Sequence, residues 1–154
     1  MDDVVPILPK TDDSLLIRTA FEGEEAWSRA MLTAISPDDA GFRAYVQVVD
    51  DRGWDGVCWE DLRKAVTATG RQASVLFVVD EAALDPGYPI LVVDLVGDKE
   101  TFRCIASEVG NVENNLNIAN MDWEDFAGRA DDDGVFRGFP ERLSRIDIHF
   151  QQHR

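Results

Sequence analysis

At 154 residues, 45% apolar and 29% charged, the chain has the make-up of one globular domain able to bury a core without staples. Thirty acids against fifteen bases leave a net charge of −15, which argues against autonomous nucleic-acid binding, where a basic stripe supplies the affinity. Cys58 and Cys104 make no disulfide framework, no apolar run is long enough to span a membrane, and the acidic opening "MDDVVPILPK" has the wrong charge for a secretory signal; a cytoplasmic protein without membrane contact is expected.

"SLLIRTAF" (14–21) reads as a strand entered through the turn chemistry of "PKTDD". In "EGEEAWSRAMLTAIS" Trp27, Ala30, Met31, Ala34 and Ile35 recur at helical spacing behind an acidic first turn, so a helix over 24–35 packs on the sheet through Trp27 and Met31. "FRAYVQVV" (42–49) alternates as a strand with one buried face carrying Phe42, Ala44, Val46 and Val48. "WEDLRKAVTATG" aligns Trp59, Leu62, Ala65 and Val66 and stops at Gly70. "ASVLFVV" (73–79) and "YPILVVDLV" (88–96) are near-continuous apolar runs, as central strands covered on both faces are. The segment between them is too short for a crossover helix, so they pair antiparallel, and "TFRCIA" (101–106) adds a hairpin strand.

All five asparagines fall between Asn111 and Asn120. A helix over 108–119 would put Val109, Val112, Leu116 and Ala119 on one seam and Asn111, Asn114 and Asn115 opposite, around Ile118. Asn117 and Asn120 are expected to be structural, with Asn120 bonding backbone amides near 122–124. Asp122 and Asp125 are placed to cap a second helix carrying Trp123, Phe126 and Ala130. "DDDGVFRGFP" reads as turn and loop, and "RIDIHF" (145–150) as a terminal edge strand. The order β-α-β-α-β-β-β-α-α-β predicts a single α/β domain over 1–154 with a mixed sheet of five to six strands. Right-handed crossovers make the first three parallel.

Carboxylates gather where α/β proteins hold ligands. Asp50, Asp51, Asp80 and Asp94 stand at or near strand ends, where they could hold Mg²⁺ for phosphoryl transfer or hydrolysis. "VQVVDD" and "ILVVDL" resemble the acidic strands of a response-regulator receiver domain, but no lysine follows Lys99 and the second helix has no room. His149 and His153, four apart near the end, have no further metal ligand nearby in sequence. No phosphate-binding glycine loop or nucleophile elbow is present, so catalysis is disfavoured and no cofactor is expected.

Two binding constellations remain. The loop "VDDRGWDGVCWED" (49–61) sets Trp54 among five carboxylates, including Asp50, Asp51 and Asp55. Its indole either folds back over the core or anchors an interface. The second is the amide face of Asn111, Asn114 and Asn115 with Ile118.

"LPKTDDSLLIRTAF", "LFVVDEAALDPGYPILVVDL" and "VENNLNIANMDWEDFAGRADDDGVFRGF" together resemble an uncharacterised family of small acidic cytosolic proteins typical of actinobacteria, over residues 7 to 140. That resemblance implies no activity, catalytic residue or cofactor. It does imply that the asparagine segment and "DGVFRGF" belong to a family pattern. In acidity and α/β make-up the chain is also similar to toxin-immunity proteins. The function expected is thus non-catalytic: an acidic interaction or immunity-type protein engaging a basic protein partner. The alternatives are the Mg²⁺-dependent enzyme and a small-molecule sensor with a deep apolar pocket.

Overall fold

The computed structural model describes residues 6–37, 41, 43–70 and 72–139. Its elements are β1 (Ser14–Arg18), α1 (Glu24–Ile35), β2 (Val46–Val49), α2 (Trp59–Thr67), β3 (Val75–Val79), β4 (Pro89–Asp94), β5 (Phe102–Ile105), α3 (Val109–Asn117), α4 (Trp123–Ala127) and β6 (Val135–Phe136). The strands form one sheet in the order β2-β1-β3-β4-β5-β6. β1 pairs parallel with β2 and with β3, β4 is antiparallel to both neighbours, and β6 runs parallel to β5. The mixed α/β sheet with parallel first strands is as the sequence predicts.

Two layers of side chains explain why the central runs are apolar without alternation. Leu16, Phe77, Val79, Ile90, Val92 and Cys104 face one way, beneath Trp27, Ala34, Val109, Val112 and Phe126 of the helices. Leu15, Ile17, Leu76, Val78, Leu91 and Val93 face the other way, against Leu62 and Val66 of α2 and against Trp54. Every residue of β3 is buried. A strand covered on both faces needs apolar residues at both parities, and β3 and β4 occupy the sheet centre accordingly. In β2 the expected face is present through Ala44, Val46 and Val48, although Phe42 lies outside the described residues.

The last expected strand, 145–150, also lies outside the described residues. Instead the segment read as loop supplies β6, held by a tight turn in which Arg137 pairs with Asp131 and Asp133. Two residues are too few for periodicity to register, but Phe136 is fully buried and packs edge-on to Phe126 at 5.2 Å. At α4, Asp125 reaches back to the Asp122 amide at 2.8 Å, one half of the expected capping box.

Most of the asparagine cluster is used within α3 and its exit. Asn117 answers three partners at once. Its Oδ1 accepts from the Ser74 amide at 2.8 Å, and its Nδ2 donates to Ser14 Oγ at 2.9 Å and to Glu113 Oε2 at 2.5 Å. Glu113 Oε1 accepts from the Tyr45 amide at 2.7 Å. The end of α3 is thereby stitched to the starts of all three parallel strands, a task needing a side chain with both acceptor and paired donors. Asn111, Asn115 and Asn120 form a ladder: Asn120 Nδ2 donates to Asn115 Oδ1 at 2.8 Å, and Asn115 Nδ2 to Asn111 Oδ1 at 2.7 Å. The expectation for Asn120 is therefore corrected, because its amide turns back along α3 and not toward 122–124. Ala119 also leaves the predicted seam: it is exposed at φ 55°, in the turn that ends the helix.

Glu113 is only 4% exposed, and burial pushes its carboxyl above the usual carboxylate range against the pull of the Tyr45 amide and Asn117. A folded state that holds the proton more tightly gains stability from this group below the unfolded carboxyl value of about 4.3. That contribution is lost as pH rises through the raised folded value. Unfolding free energy relative to Glu113→Gln should therefore fall with rising pH across this window. Urea melts of both proteins over a pH series measure it; a flat or rising difference would contradict the assignment.

Candidate functional site

The parallel half of the sheet is wound in two directions. From β1 the chain crosses over α1 to β2 on one side, then over α2 to β3 on the other side of β1. Beyond the carboxyl ends of β1 and β2 the two loops diverge onto opposite faces, to α1 on one and α2 on the other, which is where open α/β sheets leave a crevice, closed here by the segment after β3. Here it measures about 740 Å³. One wall is Thr19–Glu22 after β1, the second is Arg52 and Asp55–Val57 after β2, and the third comprises Asp80, Glu81, Leu84 and Asp85 after β3. The Gly56 amide donates to Thr19 O at 2.8 Å and the Thr19 amide to Val79 O at 3.0 Å, so main-chain bonds hold all three walls together.

Behind this lining sits Arg18, 2% exposed. Its guanidinium stacks on Phe21 at 4.3 Å and on Trp27 at 4.9 Å from the ring centroids. Nε donates to Ala20 O at 2.9 Å, Nη1 to Asp50 at 3.2 Å and Nη2 to Glu24 at 2.7 Å. One side chain thus fixes the bend after β1, the start of α1 and the end of β2. Arg52, which lines the crevice, lies over the same Phe21 ring at 5.3 Å.

The lining carries five carboxylates, Glu22, Asp55, Asp80, Glu81 and Asp85, against Arg52. Asp80 is engaged: Arg103 grips it through both guanidinium nitrogens at 2.9 and 2.8 Å. Glu22, Asp55, Glu81 and Asp85 are exposed and make no ion pair among the described residues. Four like charges around one crevice raise a negative field that walls of low dielectric concentrate.

The residues singled out in the sequence separate into distinct tasks. Asp55 lines the crevice, and Asp50 stands behind it on Arg18. Asp51 accepts from the Gly53 amide at 2.8 Å and shapes the turn. Of the two readings of Trp54, the structure has the one folded over the core: the side chain is 3% exposed beside α2. Asp94 is 5% exposed and receives the Val96, Gly97 and Lys99 amides, closing the hairpin to β5. Asp50, Asp51, Asp80 and Asp94 therefore serve four separate structural tasks. Among the described residues no group of three or more His, Cys, Asp or Glu could hold a metal ion. Asn111, Asn114 and Asn115 are half-buried, with Asn111 and Asn115 bonded to each other, while Ile118 is 62% exposed. Since α3 ends over the strand starts, the asparagine segment finishes at the opposite end of the sheet from the crevice.

Thr19, Phe21, Glu22, Arg52, Leu84 and Asp85 escape a reading along the chain, because their convergence depends on the order β2-β1-β3. The one available signal was that acidic loops follow consecutive parallel strands. Cys104 is fully buried in the core, where burial pushes its thiol far up, with Glu108 adding to the effect. Among the described residues no helix is long and apolar enough to cross a membrane.

A doubly wound parallel half with an acidic crevice at its switch point, extended by an antiparallel hairpin and a short final strand, defines the class of domain. Residues 13–139 match the family described as a domain of unknown function, DUF6924, and the chain belongs to that family. No curated protein matches it.

Proposed function

We propose that the protein is a non-catalytic interaction module, of immunity type, that holds a basic protein partner at the acidic crevice. The observation that carries this reading is the set of four carboxylates that make no ion pair among the described residues, Glu22, Asp55, Glu81 and Asp85, on walls fixed by main-chain bonds and by buried Arg18. Lysine or arginine side chains entering there meet a preorganised negative field, which raises association rates and rejects acidic competitors. The Mg²⁺-dependent alternative is less supported, because its four carboxylates are already engaged by Arg18, the Gly53 amide, Arg103 and the turn after β4. A sensor of small apolar molecules finds less support in charged walls than in an apolar pocket. The reading extends to a cytoplasm, whose reducing conditions suit two free cysteines, and to a bacterial, actinobacterial one on the family resemblance in the sequence alone.

Capture from native lysate tests it. The immobilised protein should retain a basic protein that elutes with rising salt. A variant carrying Glu22→Gln, Asp55→Asn, Glu81→Gln and Asp85→Asn should lose that capture while melting close to the parent, because these exposed side chains make no ion pair among the described residues. Undiminished capture by the quadruple variant would refute the crevice as the binding site.

A further inference from the structure

We infer that the outer edge of β2 docks an extended basic segment, which adds to the sheet as one more strand; this rests on the basic-partner reading and gives its binding mode. Among the described residues β2 pairs with β1 alone and ends the sheet. The Ser14 amide bonds Tyr45 O, so alternation turns Tyr45, Gln47 and Val49 toward β1. The amides and carbonyls of Val46 and Val48 then face outward, and neither bonds a further partner among the described residues. Natural sheets blunt such edges with lysine, proline, inward charge or bulges. "VQVV" carries none of these. The opposite edge, β6, is blunted by its two-residue length and by the Arg137 ion pairs beside it.

Charge selects the occupant. β2 runs directly into Asp50 and Asp51 and so into the crevice wall at Asp55, while Asp13 precedes the β1 residue whose amide bonds Tyr45. Acids therefore stand at the exit of the edge, with Asp13 one strand in from its start and Arg43 beside that start among the described residues. A second copy of a chain carrying −15 would be repelled here, whereas a strand with alternating basic residues would be drawn in. Main-chain bonds would supply affinity, and the acids specificity.

The probe is a short peptide alternating lysine and valine, titrated at low salt into the isotope-labelled protein and followed by NMR amide exchange. The Val46 and Val48 amides should slow by about tenfold, while the same peptide N-methylated at alternate amides should leave them unprotected. Shifts confined to the crevice loops, with Val46 and Val48 still exchanging freely, would overturn the edge inference and leave the basic-partner reading standing. No response anywhere would overturn both. Slowing of these amides on concentrating the protein alone would make a second copy the occupant and refute the basic segment.

Discussion

Arg18→Ala is expected to lower unfolding free energy by about 3 kcal/mol, moving the melting temperature down by roughly 6–12 °C. Most of that cost is not the ion pairs. Glu24 and Asp50 are 68% and 47% exposed, so they return to water easily and contribute little to stability. What is lost is a fully packed side chain between Phe21 and Trp27, together with the bond to Ala20 O that fixes the bend after β1. The decisive comparison is Arg18→Met, which keeps the stem and fills the slot between the rings. It should recover more than half of the stability lost in the alanine variant. Thermal and urea unfolding of the three proteins measure both differences. An alanine variant that melts with the parent would mean that Arg18 does not hold the walls together.

The second large effect is at Asn117. Replacement by alanine leaves the Ser74 amide without its acceptor and Glu113 without one of its donors, at a cost of about 2–3 kcal/mol. The whole crossover half should feel it, because Asn117 ties α3 to the starts of both β1 and β3. By contrast, joint replacement of Asn111, Asn114 and Asn115 removes a half-exposed ladder and should cost about 1 kcal/mol. Urea denaturation ranks the two variants directly. A triple variant less stable than Asn117→Ala would reverse the division of roles within the cluster.

These effects show how far the sequence could be read. β3 and β4 were legible because a strand buried on both faces must be apolar at every position, and the link from Asp80 to Tyr88 is too short for a crossover. Asn117 was legible as structural, because an amide at a helix end is expected to bond main chain. Glu113 was not. It sits beside the seam of Val109 and Val112, where spacing alone reads as solvent, and only the folded chain brings the Tyr45 amide onto its carboxylate beside Asn117. Arg18 has the same character: inside "LLIRT" it looks like the polar end of a strand, and its stacking on Phe21 and Trp27 exists only once α1 folds back. Trp54 was open to two readings until a tight helical turn at Arg52–Trp54 carried the ring to the α2 side. The crevice itself was hidden for a topological reason. Three loops far apart in the chain become neighbours through the order β2-β1-β3, and periodicity reports which face a residue shares, not which strand lies beside it.

The central claim is that a basic partner sits at the crevice beyond the carboxyl ends of β1, β2 and β3. Hydrogen–deuterium exchange of the protein with its captured partner, against the free protein, tests this most directly. The account predicts that protection gathers on 19–22, 52–57 and 80–85, and disappears in salt high enough to release the partner. Protection gathered on α3 and α4 around Ile118, with those three loops exchanging as in the free protein, would contradict it.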